Sequence, residues 1–448
     1  MSEPAKTLQP RVENGPSGEL LKGSAAVLAL RLLGVGATYV FILLVTRGAG
    51  VEAMGVFALS YAALEIAALI ARAGFDLALL RFTAEHAPQG RWDRVRGAYA
   101  HALRVVVPLG LLVSAALYFA APYLADSIFL KPHLRLPFRL AAVGVLPMAL
   151  VLLHSEGLRG LKKVSAYAFL SSASAFLLGA ALLAPAILYW NGTAVPVGAF
   201  VAGLLVTSVV ATALWAKNLR VNSVGPLNDN LVMGQMLDVA LPLVMATALM
   251  LVIRRTDTIM LGTFRTAAEV GVYDVAVRVA TFTSITLFAV SSLAAPKFGE
   301  LFGQGDLEGL GKVARDATRL SFFSSVPCIV LFMLFPAFVL GLFGPEFREG
   351  APALVVLLLG YGFLAAAGPV GFILQMTGRQ WMLQRIMLGG AVINIVLNAL
   401  LIPRYGIVGA AFASTATIVC YTAAQVVYVR QALGISTFYM PRSRGRLD

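Results

Sequence analysis

Long apolar runs occupy most of the 448-residue chain and constrain its fold more than any other feature. A membrane-spanning helix needs about 20 mostly apolar residues, and twelve such segments follow one another with short polar breaks. They cover residues 24–46, 54–80, 98–121, 137–155, 164–189, 195–216, 233–261, 270–293, 317–342, 351–375, 382–402 and 406–429. The chain is 59% hydrophobic and 13% charged, whereas soluble domains are about 45–50% apolar and about 25% charged. Lipid is therefore the expected solvent.

The length of these runs also selects the secondary structure. Only helices and closed barrels satisfy their backbone hydrogen bonds in lipid. Barrel strands would be about 10 residues long, with strict alternation of polar and apolar side chains. Because the runs are long and continuous, we expect an all-α polytopic membrane protein of about 12 transmembrane helices.

Basic residues are distributed unevenly between alternate loops. With the N-terminus in the cytosol, the cytosolic segments hold 20 Lys and Arg residues and the outer loops hold six. This is the positive-inside pattern of membrane proteins, and it predicts that both termini are cytosolic. The net charge of +13 then follows from topology and gives no reason to expect a nucleic acid partner.

The polar ends and one polar break divide the chain into five predicted segments. Residues 1–22 lack the apolar core of a signal peptide and are predicted to form a disordered cytosolic tail. Two six-helix lobes are expected over 23–220 and 233–432, joined by a cytosolic linker over 221–232. Residues 433–448 are expected to form a basic cytosolic tail.

Sequence motifs for catalysis or cofactor binding were not found. There is no G-x-x-x-x-G-K-[ST] phosphate loop, and the four histidines lack metal-ligand spacing. Cys328 and Cys420 both lie within apolar runs, so neither a disulfide framework nor a zinc site is indicated. We therefore expect a transporter rather than an enzyme, with no catalytic residue, metal or cofactor.

Short stretches of the first half recur in the second half at a nearly constant offset. Gly55-Val56-Phe57 matches Gly271-Val272-Tyr273 at an offset of 216, and Gln89-Gly90 matches Gln304-Gly305 at an offset of 215. Each half would contain six spans, an even number, so both halves start on the same side of the membrane. Such a parallel repeat has its axis along the membrane normal. Two parallel six-helix lobes around a central cleft are therefore expected.

Three segments resemble bacterial polysaccharide or O-antigen-type flippases. They are the first two spans from "LLKGSAAVLALRLLG" to "ALLRF", the segment "RRTDTIMLGTFRTAAEVGVYDVAVRVA", and "GGAVINIVLNALLIPRYGIVGAAFAST" from Gly389 to Thr415. These flippases belong to the multidrug/oligosaccharidyl-lipid/polysaccharide exporter superfamily. The resemblance implies a MATE-like fold and a place in the bacterial inner membrane.

The same resemblance implies a function and a set of partners. An undecaprenyl-pyrophosphate-linked oligosaccharide would pass from the cytosolic to the outer leaflet by alternating access, for synthesis of O-antigen or exopolysaccharide. Membrane lipids, H⁺ or Na⁺, a polysaccharide polymerase and chain-length proteins would be the other partners.

Ionisable residues within the apolar runs suggest where the site lies. A charged side chain within a span is costly and usually faces the bundle interior or a water-filled cavity. Three oppositely charged pairs stand three or four residues apart on one helix and are expected to neutralise each other. They are Arg72–Asp76, Asp274–Arg278 and Arg254–Asp257.

Arg31 and Arg255 have no acidic residue three or four positions away on their own helices. The resemblance implies that the first and seventh helices line the cleft. The predicted substrate-binding residues are therefore Arg31, Arg254, Arg255 and Asp257. Guanidinium groups bind phosphate oxygens bidentately, so a pyrophosphate is the expected ligand. The alternative is that Arg255 pairs with Asp238 or with an acid on another helix.

Three acidic residues are candidates for coupling transport to an ion gradient. Glu65, Asp238 and Asp274 could bind H⁺ or Na⁺, but each has a pairing alternative. The sequence does not decide between these two roles.

Three other functions fit the sequence less well. A drug/cation antiporter of the same superfamily would favour an acidic cavity, and the surplus of unpaired arginines argues against it. A membrane-embedded polymerase or glycosyltransferase tends to carry a large outer loop or a soluble catalytic domain, and neither was found. A major facilitator would carry a G-x-x-x-D-R-x-G-R-R type loop after the second span, and that loop is absent.

Overall fold

The computed structural model describes residues 16–222 and 233–438, and all regular secondary structure within them is helical. The α-helices are α1 Pro16–Gly48, α2 Gly50–Arg72, α3 Phe75–His86, α4 Trp92–Tyr123, α5 Arg135–Gly160, α6 Val164–Ala168, α7 Ser174–Tyr189, α8 Val195–Asn222, α9 Met233–Phe264, α10 Ala267–Phe282, α11 Ile285–Gly303, α12 Leu307–Leu334, α13 Pro336–Gly341, α14 Ala351–Ala367, α15 Val370–Met376 and α16 Gln380–Leu433. Ten helical stretches of these residues are long and apolar enough to cross a membrane. We call the part before residue 223 the first half and the part from residue 233 the second half.

Large apolar side chains cover the outside of the helical bundle. Phe119 and Leu188 are each 79% exposed, and Leu293 is 75% exposed. Such side chains are favourable on a surface that faces lipid and unfavourable in water. Together with the long apolar helices, they confirm the prediction of an all-α polytopic membrane protein.

The longest helix, α16, contains the last two predicted spans. Gly406 interrupts it with φ 56° and ψ −133°, a conformation outside the helical region that glycine reaches without steric cost. Gly390 lies against Tyr421, because a Cβ added at Gly390 would lie 3.4 Å from the Tyr421 Cβ. The two parts of α16 therefore fold back on each other as an antiparallel pair.

The second and eighth predicted spans are each broken into two helices. Ala73 and Gly74 adopt left-handed φ values of 46° and 82° between α2 and α3. A milder break at Thr283 and Ser284 separates α10 from α11. Hydropathy does not detect such breaks, because apolar residues continue through them.

The segment limits differ somewhat from the predictions at both ends and at the linker. Helix α1 begins at Pro16, inside the predicted disordered tail, and residues 1–15 lie outside the described residues. Helix α8 extends to Asn222, and the rest of the predicted linker also lies outside them. The same holds for the end of the basic tail, from residue 439.

The turn at Gly90 in the first half has the same backbone geometry as the turn at Gly305 in the second. The two glycines have φ values of 70° and 74°. Gly90 donates its N–H to the Ala87 carbonyl and Gly305 donates to the Phe302 carbonyl, both at 3.1 Å. These partners are again separated by 215 residues. The repeated sequence therefore forms a repeated structure.

The two halves meet where α2 crosses α10, a contact we call the α2–α10 crossing. A Cβ added to Gly55 would lie 1.7 Å from the Ala267 carbonyl oxygen, and one added to Gly271 would lie 2.4 Å from the Val51 carbonyl oxygen. Ala267 and Gly271 are the counterparts of Val51 and Gly55 at offset 216. Such a reciprocal contact is what two copies related by a twofold axis produce.

Polar contacts to backbone carbonyls accompany the crossing at the same end of the molecule. Lys131, from the loop before α5, donates to the Gly262 carbonyl near the end of α9 at 2.6 Å. Arg47, in the last turn of α1, donates to the Leu342 carbonyl at 3.0 Å. Both contacts join the first half to the second.

Candidate functional site

A cavity of about 870 Å³ lies between the two halves. Helices α1, α2 and α5 contribute residues from the first half, and α9, α10, α11, α14 and α16 contribute residues from the second. We call it the central cavity. It contains most of the charged residues that the sequence placed within spans.

Glu65, on α2, connects the two halves across this cavity. Its Oε2 accepts a hydrogen bond from Arg255 Nε at 2.5 Å, and its Oε1 accepts one from Arg254 Nη2 at 3.2 Å. Both arginines lie on α9, which belongs to the second half. One carboxylate of the first half is thus held by two guanidinium groups of the second.

Arg255 is the more deeply enclosed of the two arginines, with its side chain 10% exposed. Its Nη1 lies 3.9 Å from Asp274 Oδ1 on α10, and its guanidinium carbon lies 5.1 Å from the centre of the Tyr61 ring. The pairing alternative considered for Arg255 is therefore realised, with Glu65 and Asp274 rather than with Asp238.

The cluster around Glu65 carries an excess of positive charge. Arg278 Nε donates to Asp274 Oδ2 at 2.5 Å, so the guanidinium groups of Arg254, Arg255 and Arg278 face the carboxylates of Glu65 and Asp274. Three positive groups against two negative ones leave one net positive charge. Arg254 keeps its side chain 61% exposed and is the most accessible of the three.

The predicted pair of Arg254 and Asp257 is wrong. Asp257 is 5% exposed, and its carboxylate is bound on all sides by neutral donors from α10 and α16. The donors are Tyr273 at 2.8 Å, Asn398 at 2.7 Å, Asn394 at 3.2 Å, and Ser414. Sequence spacing showed only that the arginine could reach Asp257; the tertiary donors and Glu65 satisfy both groups separately.

The two other predicted pairs within one helix are confirmed. Arg72 forms an ion pair with Asp76 across the break between α2 and α3, and Arg278 pairs with Asp274 on α10. Asp274 thus neutralises arginines on its own helix and on α9. Its geometry is that of a structural counter-ion.

Of the two remaining predicted site residues, Asp238 stands apart from the cluster. Asp238 is exposed in the second turn of α9 and is not part of the cavity wall. Arg31 lies within α1, but its side chain lies outside the part of the chain that the structure describes. Its predicted role as a second substrate contact stays a prediction.

Sequence reasoning missed the groups that surround Asp257 and Arg255. Asn394, Asn398 and Ser414 all lie within the segment Gly389–Thr415, which resembles flippases, so a function of that segment is to enclose Asp257. Two amide side chains four residues apart in an apolar span were a usable signal, because polar residues there usually face the bundle interior. Tyr61 offered no such signal.

The described residues contain no group of three or more His, Cys, Asp or Glu side chains suited to a metal ion. The buried His154 instead makes neutral contacts within the first half. Its Nε2 lies 2.9 Å from the Tyr99 hydroxyl, and its Nδ1 lies 3.3 Å from the Thr212 hydroxyl. These two partners occupy both ring nitrogens of His154.

Known proteins with this fold include transporters of several kinds. The chain matches a multidrug resistance MATE family transporter of the MOP superfamily, in an inward-facing conformation, with a TM-score of 0.76 and 15% identity over 92% of this chain and 98% of that one. It matches the lipid II flippase MurJ with a TM-score of 0.73 and 12% identity over 92% and 87% of the two chains. At such identities the likeness shows the fold, which is MATE-like as predicted.

Sequence comparison shows the family. A probable low-salt glycan biosynthesis flippase, Agl15 of Haloferax volcanii, is 26% identical over 184 residues, which are 41% of this chain. The matched regions span between 27% and 39% of the length of three curated relatives. The MatE family model matches residues 242–400. The model of the polysaccharide biosynthesis protein family matches residues 20–302, more than half of the chain. The protein therefore belongs to the polysaccharide biosynthesis protein family.

Proposed function

We propose that this protein is a flippase that moves an undecaprenyl-pyrophosphate-linked oligosaccharide from the cytosolic to the outer leaflet of a bacterial inner membrane. One observation carries the proposal: Arg254 and Arg255 hold the Glu65 carboxylate in the central cavity. These residues belong to a cluster of charged side chains with a net positive charge. A site that already binds one anion between two guanidinium groups suits a pyrophosphate. The name of the relative Agl15 supports the same class of substrate.

Glu65 would act as an internal stand-in for the pyrophosphate. A pyrophosphate carries more negative charge than one carboxylate and can bind both guanidinium groups bidentately. Its arrival would release Glu65 and so break the ion pairs between α2 and α9 that join the halves. Substrate binding would thereby favour the conformation in which the halves are free to rock, as alternating access requires.

In the alternative function, a drug/cation antiporter, Glu65 would have the opposite role. A cationic drug would need the Glu65 carboxylate as its counter-charge, whereas an anionic substrate competes with that carboxylate. A neutral replacement of Glu65 therefore changes the affinity for the two kinds of cargo in opposite directions.

We expect Glu65→Gln to bind pyrophosphate about tenfold more tightly than the wild type, since loss of one competing charge is worth about 1.4 kcal/mol or more. The measurement is equilibrium binding of inorganic pyrophosphate and of a cationic dye to the purified full chain. Asp238→Asn is the matched control, because it removes an exposed carboxylate outside the cavity wall and should leave both affinities unchanged. Weaker pyrophosphate binding together with loss of dye binding would favour the antiporter instead.

We also propose that both termini are cytosolic, because basic residues concentrate in the corresponding loops. In a variant with Cys328 and Cys420 replaced, cysteines at Gly90 and Gly305 should be protected from an impermeant thiol reagent in intact cells. Cysteines at Ala49 and Thr266 should react with it. Reaction of the first pair from outside would reverse the proposed orientation.

The proposed transport also needs an energy source and proteins that use the transported glycan. Glu65 and Asp274 each neutralise arginines, and Asp238 lies outside the cavity wall, so the geometry favours none of the three as the site of H⁺ or Na⁺ coupling. A polysaccharide polymerase and chain-length proteins would act on the glycan after its transfer.

A further inference from the structure

A second, smaller cavity of about 230 Å³ lies within the second half. Its wall comes from α9, α11, α14, α15 and α16, and most of the side chains that form it are apolar. We call it the side cavity. It differs from the central cavity, whose wall carries arginines and carboxylates.

The two cavities adjoin one another. They share five residues of their walls, which are Met250, Phe288, Leu364, Met387 and Tyr421. Met250 and Phe288 are 58% and 50% exposed. Apolar surface of the second half thus continues from the central cavity into the side cavity. A charged cavity and an apolar cavity that adjoin each other suit a ligand that is anionic at one end and apolar at the other.

The register of α9 fixes how the two spaces are arranged. Met250 precedes Arg254 by four residues and therefore lies on the same face of the helix. Ala246, one turn further back, also belongs to the wall of the side cavity. With a rise of 1.5 Å per residue, Ala246 lies about 12 Å along the helix from Arg254. The apolar wall thus begins about one helical turn from Arg254.

We propose that the side cavity binds the isoprene units next to the pyrophosphate of a prenyl-linked substrate. The proposal rests on the flippase function. It adds that the protein binds the part of the lipid tail next to the pyrophosphate, so that only the rest of the tail stays in the bilayer. The glycan, which needs hydrogen-bond partners, would occupy the larger and more polar central cavity. The apolar wall of the side cavity gains free energy from covering hydrocarbon.

Ala246→Phe fills the side cavity without changing any charge, and Ala248→Phe is its matched control. Ala248 lies on the same helix but belongs to neither cavity wall. The probes are inorganic pyrophosphate and farnesyl diphosphate, with binding measured on the purified full chain. We expect the wild type and Ala248→Phe to bind farnesyl diphosphate at least about tenfold more tightly than pyrophosphate, which corresponds to about two buried methylene groups.

Ala246→Phe should lose that preference while it keeps the wild-type affinity for pyrophosphate. An equal preference in Ala246→Phe and Ala248→Phe would overturn the inference, because the tail would then bind elsewhere. Equal competition by short-chain phosphatidylglycerol would overturn it as well and assign the cavity to a phospholipid chain. If the wild type binds neither diphosphate, the flippase function itself fails, and that result is distinct from the other two.

Discussion

Replacement of Arg255 by alanine is expected to abolish glycan export and to destabilise the protein. Arg255 is enclosed, and it contacts Glu65, Asp274 and the Tyr61 ring together. Removal of one partner of a buried ion pair costs about 3–5 kcal/mol, because the other charge is left without compensation. Export of the glycan to the cell surface and the abundance of the variant in the membrane should be measured together.

Arg255→Lys separates the two effects, since it keeps the charge and loses the planar fork of donors. An ammonium group does not reproduce bidentate binding, so we expect export to fall at least about tenfold at near-normal abundance. Arg254→Lys makes the same change at the second guanidinium group of the proposed site. Because Arg254 is mostly exposed, its replacement should change export less. Wild-type export by Arg255→Ala at equal abundance would remove the arginine from the proposed mechanism.

Gly55→Ala is expected to disrupt the α2–α10 crossing. Its new methyl group would lie 1.7 Å from a backbone carbonyl oxygen, and neither helix can relieve this contact by rotating a side chain. The helices must move apart, and such overpacking typically costs about 1–3 kcal/mol and occasionally more. The unfolding temperature of the purified protein should fall, and export should fall with it, because the halves would no longer close at this end.

Gly36→Ala is the matched control for this prediction. Among the described residues, a Cβ at Gly36 meets no atom within 4 Å apart from the backbone of its own helix, and alanine in place of glycine within a helix is favourable by about 0.5–1 kcal/mol. The control should therefore be at least as stable as the wild type. Gly271→Ala should behave like Gly55→Ala, since the crossing is reciprocal. Normal stability of both crossing variants would mean that the halves do not pack this closely.

The fold class could be predicted from the sequence because it depends on local properties. Twelve long apolar runs require helices in lipid, whatever their neighbours are. The repeat was also visible, because the turns at Gly90 and Gly305 need glycine for the same local reason, a positive φ. The pairs Arg72–Asp76 and Asp274–Arg278 were predictable in the same way, since residues four apart on one helix are always neighbours.

The arrangement of the site could not be predicted, because it depends on contacts between residues far apart in the chain. The sequence indicated that Arg255 lacked a partner on its own helix, but only the packing of α2 and α10 against α9 supplied Glu65 and Asp274. For Asp257, local spacing offered Arg254, and the tertiary structure supplied four neutral donors instead. Helical periodicity determines which residues share a face of one helix, whereas the choice among possible partners depends on which faces pack together. The sequence by itself thus determined the helical fold class, the repeat and the kind of charge within the spans. Only the tertiary structure decided that Glu65 holds the arginines of the central cavity.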